Sequence, residues 1–573
     1  MAAGAAVTLQ LGHYAGCVGA HWWGLQEAAF CYSPEAGPQE REISHDALFR
    51  AGQTLQGQET YTPRLVLMDL KGSLNSLKRE GTLYADTGTD LPAAWRGDLT
   101  THTESPFPRN RFLRELDRLE GGMASNGDYN GHALPVGKAP ASPLPGQQDT
   151  FQKMYQLEDT VQVWSDYLRV HLHPRSVFMI NRYNHDGESS RLEAFAQGES
   201  LLQEPAYLEE MEDRLHFYVE ECDYLQGFQV LCDLHNGFSG IGARVKELLS
   251  DEYAGKGILT WGLTPVIPSS RDSQKDFYRL MNTVLGIVHL SSHSSLFCPL
   301  SLNGSLGLRP GSPISLPHVQ YDPSLNYHTS ALLATALDTL STPYRLHSSK
   351  FSMGHLADSL SVLGRKVVTA AAALPFPLVC DHTLPDALCS SVPWKPLSSC
   401  GEQTDGSSCA QAVVLRGLGK EYHTSPCPAG TEPRSVLHAC ATGEEVLARY
   451  LQTRCPGTFS TSLLLQGPCQ VWAPYPQFFS PLLNKQGFLL DKPPSVPAAV
   501  NSIPVLTALQ SSSVLHGVFS QFYKQLRNVD LRRWASYFSA GIELDDFQEA
   551  LQELRTLAQC YKTSSEVDES DSD

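Results

Sequence analysis

The sequence LQGFQVLCDLHNGFSGIG, residues 225–242, has the pattern of a strand, a glycine-containing turn and the start of a helix. Residues 228–231 predict a short buried strand, and residues 243–249 predict the helix that follows it. The preceding segment, residues 205–222, repeats apolar residues at helical spacing after a proline that suits a first turn. A turn between a strand and a helix presents backbone N–H groups that suit a phosphate. This stretch therefore predicts an α/β fold.

The bulk composition limits the class of protein. The chain has 573 residues, of which 42% are hydrophobic and 18% charged, as is usual for globular proteins of two or three domains. Its net charge of −18 argues against nucleic-acid binding and against docking on anionic lipid by charge alone. We therefore expect proteins, and not nucleic acid, as partners.

The cysteines and the N-terminus bear on the compartment. None of the fourteen cysteines lies in a C-x-x-C motif, so the sequence lacks the ligand pairs of zinc ribbons, and we expect reduced thiols. No Lys or Arg precedes Arg41, and no apolar run reaches the ~20 residues of a membrane span. We expect a cytosolic chain whose contact with a membrane is peripheral.

Several segments resemble tubulins in the same order along the chain. Residues 7–24, VTLQLGHYAGCVGAHWWG, are similar to the tubulin opening IQAGQCGNQIGAKFW, and residues 63–71, PRLVLMDLK, to PRAVLVDLEP. The LQGFQ of residues 225–229 is shared with tubulins, where it leads into GGGTGSG. Further matches are LPFP at residues 374–377, which resembles VPFP, and two predicted surface helices within residues 519–560. The chain therefore resembles the tubulin family in its fold.

Two segments depart from the tubulin pattern. Residues 86–150 form a loop-like insertion that contains one short predicted helix, residues 111–119, and residues 390–440 form a second stretch rich in Ser, Thr, Gly and Pro. A tubulin-like order with a long early insertion and an altered nucleotide loop resembles the Misato family over nearly the full length.

The resemblance implies an α/β, tubulin-like architecture with a doubly wound nucleotide-type domain, a smaller α/β domain and C-terminal helices. The predicted divisions are the nucleotide-type domain at residues 1–345, the second domain at 346–504, the helices at 505–563 and an acidic tail at 564–573.

The Misato resemblance also implies a function. It points to a non-enzymatic regulator of mitochondrial distribution and morphology that is required for mitochondrial fusion and network formation. Such a protein is expected in the cytoplasm, with a peripheral pool on the mitochondrial outer membrane, and is expected to act through other proteins, tubulin among the candidates. The alternatives are an active, GTP-binding tubulin-like GTPase and a tubulin- or spindle-associated factor.

The resemblance to tubulin assigns a nucleotide pocket to particular residues. The positions that match it are Gly12, His13, Gly16, Asp69, Asn236, Gly237, Ser239, Gly240, Tyr321 and Asn326. Several have a second interpretation: His13 is compatible with a local hydrogen bond, Asp69 with a polar strand end, and Asn326 with a helix cap.

Three departures weaken the pocket. Lys71 replaces the acid that helps to hold magnesium in tubulins, and lysine cannot ligate Mg²⁺. Phe238 stands where tubulins have a small polar residue, and we expect it to be structural. Val368 stands where tubulins supply an acid for hydrolysis, and a valine cannot activate water. We therefore expect no catalytic residue, no metal, and GTP or GDP at most as a structural ligand.

Overall fold

The computed structural model describes most of the chain. The described residues are 4–30, 42–53, 59–77, 107–125, 155–186, 190–267, 272–347, 351–389, 393–401, 408–424, 433–495, 499–530 and 532–562. The predicted tail at 564–573 and most of the predicted insertion at 86–150 lie outside these residues.

The described residues form two larger sheets and several helices. The strands are β1 Ala5–Leu11, β2 Phe49–Gln53, β3 Glu59–Pro63, β4 Leu65–Lys71, β5 Val177–Asn184, β6 Leu225–Asp233, β7 Gly257–Leu263, β8 Leu296–Leu300, β9 Thr369–Ala373, β10 Lys395–Pro396, β11 Ser408–Arg416, β12 Phe459–Leu465, β13 Cys469–Gln470, β14 Ser502–Ile503 and β15 Val505–Ser512. The α-helices are α1 His13–Ala28, α2 Arg111–Ser125, α3 Phe195–Leu201, α4 Pro205–Glu220, α5 Phe238–Glu252, α6 Ser273–His293, α7 Asn326–Leu340, α8 Met353–Leu360, α9 Leu384–Leu388, α10 Gly443–Arg454, α11 Val514–Arg527, α12 Ala535–Phe538 and α13 Leu544–Cys560.

The first sheet has six parallel strands in the order β5-β4-β1-β6-β7-β8. Helices cover both of its faces, so its strands are buried on both sides and consist largely of apolar residues. Val7, Leu9 and Leu11 of β1 belong to one apolar core with α4, α5 and α6. Ala6 belongs to a second core with α1 and α7. The predicted doubly wound, tubulin-like α/β fold is confirmed.

The second sheet has five strands in the order β10-β9-β15-β11-β12. The set of strands that forms this sheet changes two details of the predicted domain divisions. Strand β15 pairs with β9 and β11, although the predicted boundary at residue 505 placed it with the C-terminal helices. Strand β11 is an inner strand of this sheet, between β15 and β12, although it lies within the stretch predicted as a Ser/Pro/Gly-rich insertion. Its run of buried apolar residues outweighs the polar composition around it.

The observed helices and strands agree with the predictions from the sequence more closely than the domain boundaries do. Helix α2 begins at the residue predicted for it, Arg111, but ends six residues later than predicted, at Ser125. The strand predicted at 228–231 is longer in the structure, where β6 spans Leu225–Asp233. The next helix begins at Phe238 instead of at residue 243. Helices α11 and α13 are the predicted C-terminal pair. Within the described ranges, no helix is long and apolar enough to cross a membrane.

Candidate functional site

A cavity of about 630 Å³ lies at the carboxyl ends of the parallel strands. His13 follows β1, His185 follows β5, and His235 follows β6, and all three line this cavity. The chain adds strands outward from β1 to β5 and then returns to place β6 on the other side of β1. Ligands of open α/β sheets bind at such a switch point, and the volume suits a small molecule.

At the first loop, the protein's own carboxylate takes the place expected for a phosphate. The backbone N–H groups of Tyr14 and Ala15, at the start of α1, donate to the two oxygens of Asp233 over 3.0 and 2.8 Å. Gly12 has a φ of 113°, and a Cβ at this position would lie 2.5 Å from the Asp233 carboxyl group. Gly12 is therefore required for the approach of Asp233, and the anion site at this helix N-terminus is already filled.

Asp233 is fully buried, and this burial governs its ionisation. Desolvation raises the pKa of its carboxyl group to about 7, although the hydrogen bonds from Tyr14 and Ala15 favour the charged form. The group consequently changes charge near neutral pH.

At the second loop, Asp69 is the centre of a buried network. One of its carboxylate oxygens, Oδ2, lies 3.1 Å from His13 Nδ1 and accepts a hydrogen bond of 2.9 Å from Trp164 Nε1, while Oδ1 accepts one from the backbone of Leu70. Burial opposes ionisation, but attraction to His13 and these hydrogen bonds lower the pKa of Asp69 below its usual value. Gly16 leaves the space that the Trp164 ring fills, so its role here is packing.

Two histidines meet beside Asp69. The rings of His13 and His185 have their centroids 3.8 Å apart, and His185 is held there by its backbone N–H, which donates to the carbonyl of Lys71. Burial acts to lower the pKa of His13, but the neighbouring Cys17 and Asp69 groups raise it well above its usual value. Burial and the neighbouring His13 lower the pKa of His185. His13, Asp69 and His185 therefore form a compact group of possible metal ligands, which local spacing in the sequence did not predict.

The glycines of the third loop serve close packing of α3. A Cβ at Gly240 would overlap the carbonyl oxygen of Phe195 in α3, and a Cβ at Gly198 in α3 would overlap the carbonyl oxygen of Gly237. A Cβ at Gly237 itself would lie 2.7 Å from Leu192. Two of the predicted phosphate glycines therefore face protein, and the tight turn has become a helix-packing contact.

The other residues of the third loop close the turn on itself. The side-chain oxygen of Asn236 accepts from the N–H of Phe238, and the hydroxyl of Ser239 donates to the backbone carbonyl of Asn236 over 2.8 Å. Asn236 also lines the cavity, whereas Ser239 is fully buried. Phe238 is 1% exposed and belongs to the apolar core, which agrees with a structural role.

The two residues predicted to bind a base are separated by the structure. Asn326 lines the cavity, and since Leu325 is the N-cap of α7, Asn326 is not the predicted cap. The hydroxyl of Tyr321 donates instead to the carbonyl of Ile314 over 2.6 Å, and its ring packs against the apolar core. Tyr321 is not among the residues that line the cavity.

The structure also shows where the residues lie that differ from tubulin at the magnesium and hydrolysis positions. Lys71 is exposed at the end of β4 and does not line the cavity. Val368 is fully buried, and its backbone N–H donates to the carbonyl of Phe297. A buried valine has no access to a ligand of a neighbouring subunit.

Charged side chains that sequence reasoning missed complete the lining. Arg191, Lys275 and Arg279 bring positive charge to the rim, and the acids Glu193 and Asp272 lie among them. These residues come from segments far apart in the sequence. The one local signal was an acid, Asp233, at the end of an otherwise uncharged buried strand.

Comparison with known proteins gives the ancestry of this arrangement. Residues 5–118 match the model of the Misato segment II tubulin-like domain, and residues 155–346 match a tubulin domain model. Protein misato homolog 1 of Bos taurus is 57% identical over 98% of this chain and 99% of its own length. The chain belongs to the Misato family.

More distant relatives also match this chain over nearly its full length. Protein misato homolog 1 of Danio rerio is 45% identical over 99% of both chains. Protein misato of Drosophila melanogaster is 30% identical over 97% of this chain and 98% of its own length. This member of the Misato family is thus tubulin-like in fold, and its cavity lies where the glycine loops of a tubulin-type nucleotide domain converge.

Proposed function

We propose that this Misato-family protein is a non-enzymatic, tubulin-like regulator of mitochondrial distribution and morphology, required for mitochondrial fusion and network formation. The cellular role rests on its family. The non-enzymatic character rests on Asp233, whose carboxylate is bound by the N–H groups that a phosphate would need. A second anion there would have to displace a buried group or repel it.

The same proposal includes the location and the partners. The protein acts in the cytoplasm and, as a peripheral pool, at the mitochondrial outer membrane, through contacts with other proteins. Its high negative charge favours basic protein surfaces as partners.

A rescue experiment tests the cellular role. Cells depleted of the endogenous protein are expected to show fragmented or clustered mitochondria, and expression of the wild-type chain is expected to restore the network. Asn326→Ala, which changes the residue predicted to read a base, should restore it equally well. A normal network after depletion would refute the proposed role, and failure of a stably folded Asn326→Ala chain would favour a nucleotide-dependent one.

A protease-shaving experiment tests the location. Protease added to intact isolated mitochondria should degrade the associated pool, and high salt or alkaline carbonate should release it. Protection until the inner membrane is opened would contradict an outer-surface location.

The alternative, a GTP-binding GTPase or tubulin-associated factor, has one observation in its favour. The cavity of about 630 Å³ carries Arg191, Lys275 and Arg279 on its lining, and Asn326 reaches it. These features suit an anionic ligand held away from the first loop. GTP or GDP as a structural ligand is compatible with the proposal, whereas turnover is not.

A further inference from the structure

Three side chains from distant parts of the sequence converge at one edge of the cavity. His13 begins α1, Asp69 lies near the end of β4, and His185 follows β5. Each offers one ligand atom, and these atoms all lie within 4.8 Å of one another. We propose that His13, Asp69 and His185 bind a divalent transition-metal ion, with Zn²⁺ as the best match. This site goes beyond the proposed regulatory function.

The donor set determines the class of metal. Imidazole nitrogens suit zinc, iron, nickel and copper, whereas magnesium and calcium prefer oxygen ligands. Two histidines and one carboxylate, with further positions open, form a common arrangement for Zn²⁺ and Fe²⁺. The ion is therefore distinct from a magnesium ion carried in by a nucleotide.

The geometry needs little rearrangement. Ligand atoms that share a zinc ion at about 2.1 Å lie roughly 3–4 Å apart. His13 Nδ1 and Asp69 Oδ2 are already 3.1 Å apart, and the ion would take the place of the proton between them, which is released to solvent. His185 keeps 22% of its side chain exposed toward the open cavity, so a change of its χ angles brings its ring to the same ion.

Neighbouring groups orient the carboxylate. Trp164 Nε1 donates to Asp69 Oδ2 and the backbone of Leu70 donates to Oδ1, which fixes the plane of the carboxyl group. Such hydrogen bonds around ligands are usual at metal sites and contribute to affinity. The backbone bond from His185 to the carbonyl of Lys71 fixes the position of the third ligand.

A nearby imidazole indicates that the cavity wall is suited to a polar ligand. His235 lines the same cavity, and its Nδ1 is buried without a hydrogen-bond partner among the described residues. A water or an anion bound to the metal ion on its open side would lie in the same cavity as the unpaired Nδ1 of His235.

Calorimetry on the full-length protein tests the site. Protein stripped with a chelator is titrated with ZnCl₂, and one equivalent is expected to bind saturably. His185→Gln and Asp69→Asn should each weaken this binding at least 100-fold (about 2.7 kcal/mol). His216→Gln is the matched control, because His216 is half exposed on α4 beside Glu252 and does not line the cavity; it should bind as the wild type does.

Several results would overturn the proposal. One is the absence of saturable binding at one equivalent, and another is unchanged affinity in His185→Gln. The spectrum of bound Co²⁺ gives an independent check of the ligands. It should lack thiolate charge-transfer bands, and their presence would assign the metal to cysteines, such as Cys17 one turn along α1 from His13.

Discussion

The carboxylate of Asp233 links the two glycine-containing loops of this fold. It lies at the end of β6, yet it accepts hydrogen bonds from the start of α1, so one side chain joins the loop after β1 to the loop after β6. Phosphates bind helix N-termini through the same kind of N–H groups. Because the Asp233 carboxylate is part of the chain, it makes these hydrogen bonds without the loss of translational and rotational entropy that accompanies the binding of a separate anion.

The pKa of Asp233 predicts a pH-dependent stability. Folding raises this pKa to about 7 from about 3.9 in an unfolded chain. The folded state therefore binds more protons between these values, and the contribution to stability is complete below pH ~4 and is lost as the pH rises through 7. Between pH 5 and pH 8, the wild type should lose roughly 2.7 kcal/mol relative to Asp233→Asn.

Urea unfolding at the two pH values measures this difference. Asp358→Asn, at an exposed position of α8, is the control and should follow the wild type. Equal pH dependence in the wild type and in Asp233→Asn would show that Asp233 does not titrate in this range.

The contacts of single residues in the site are also the feature that the sequence predicts least well. Gly12, His13, Asp69, Asn236 and Asn326 were assigned by resemblance, and all five lie at or beside the cavity. Asp233, His185 and Trp164 were missed because the groups that they meet in the site (on Tyr14, His13 and Asp69, respectively) lie 95 or more residues away in the sequence, and such proximity follows only from the order of strands. Tyr321 was misplaced, since its hydroxyl donates to the carbonyl of Ile314 and its side chain does not line the cavity.

At the scale of elements, the unit of β6, turn and α5 was recognisable from its pattern, but the purpose of its glycines was not. Gly237 and Gly240 allow α3 to lie directly on the turn, and Gly198 makes the reciprocal contact from α3. Asn282 of α6 fixes this arrangement, since its amide donates to Glu193 and accepts from the N–H of Phe195. The loop is thus rigidified by protein contacts.

This packing predicts opposite effects for two glycine-to-alanine changes. Gly240→Ala should destabilise the fold by about 1–3 kcal/mol, because its methyl group would overlap the carbonyl oxygen of Phe195. Gly24→Ala in α1 meets no atom within 4 Å and should stabilise the helix by up to about 1 kcal/mol. Thermal and urea unfolding measure both, and equal effects at the two positions would contradict the packing role of Gly240.

At the scale of the whole molecule, a buried ionic cluster joins the central helix α7 to the second sheet. Asp338 of the central helix α7 accepts from Arg345 over 2.8 Å and from Arg416 of β11 over 2.6 Å, and all three side chains are nearly inaccessible to water. Burial opposes the charge of Asp338, but the two arginines lower its pKa below the usual value. The cluster fixes the second sheet against the C-terminal end of α7.

Removal of this charge predicts a large loss of stability. Asp338→Asn leaves two buried guanidinium groups without a counter-ion, so the free energy of unfolding should fall by about 3–5 kcal/mol. Asp358→Asn, which is exposed, should change it by less than about 0.5 kcal/mol. A loss below 1 kcal/mol in Asp338→Asn would show that the contact between α7 and the second sheet does not depend on this cluster.

The architecture as a whole was predictable from the sequence to a greater extent than the site. Glycine turns between apolar segments identified β1–α1 and β6–α5, and these units fix a doubly wound sheet. The boundary at residue 505 differed because β15 is inserted antiparallel between β9 and β11, a pairing that strand composition does not reveal. Site chemistry required the three-dimensional contacts.

The most direct test of the non-enzymatic account is GTP turnover by the purified full-length protein, with and without tubulin. Alone, the wild type should release no phosphate above the buffer rate, and with tubulin it should add nothing to the rate of tubulin alone, because Asp233 fills the phosphate position and buried Val368 supplies no acid. Sustained turnover that Asn326→Ala abolishes would contradict the account and establish a GTPase.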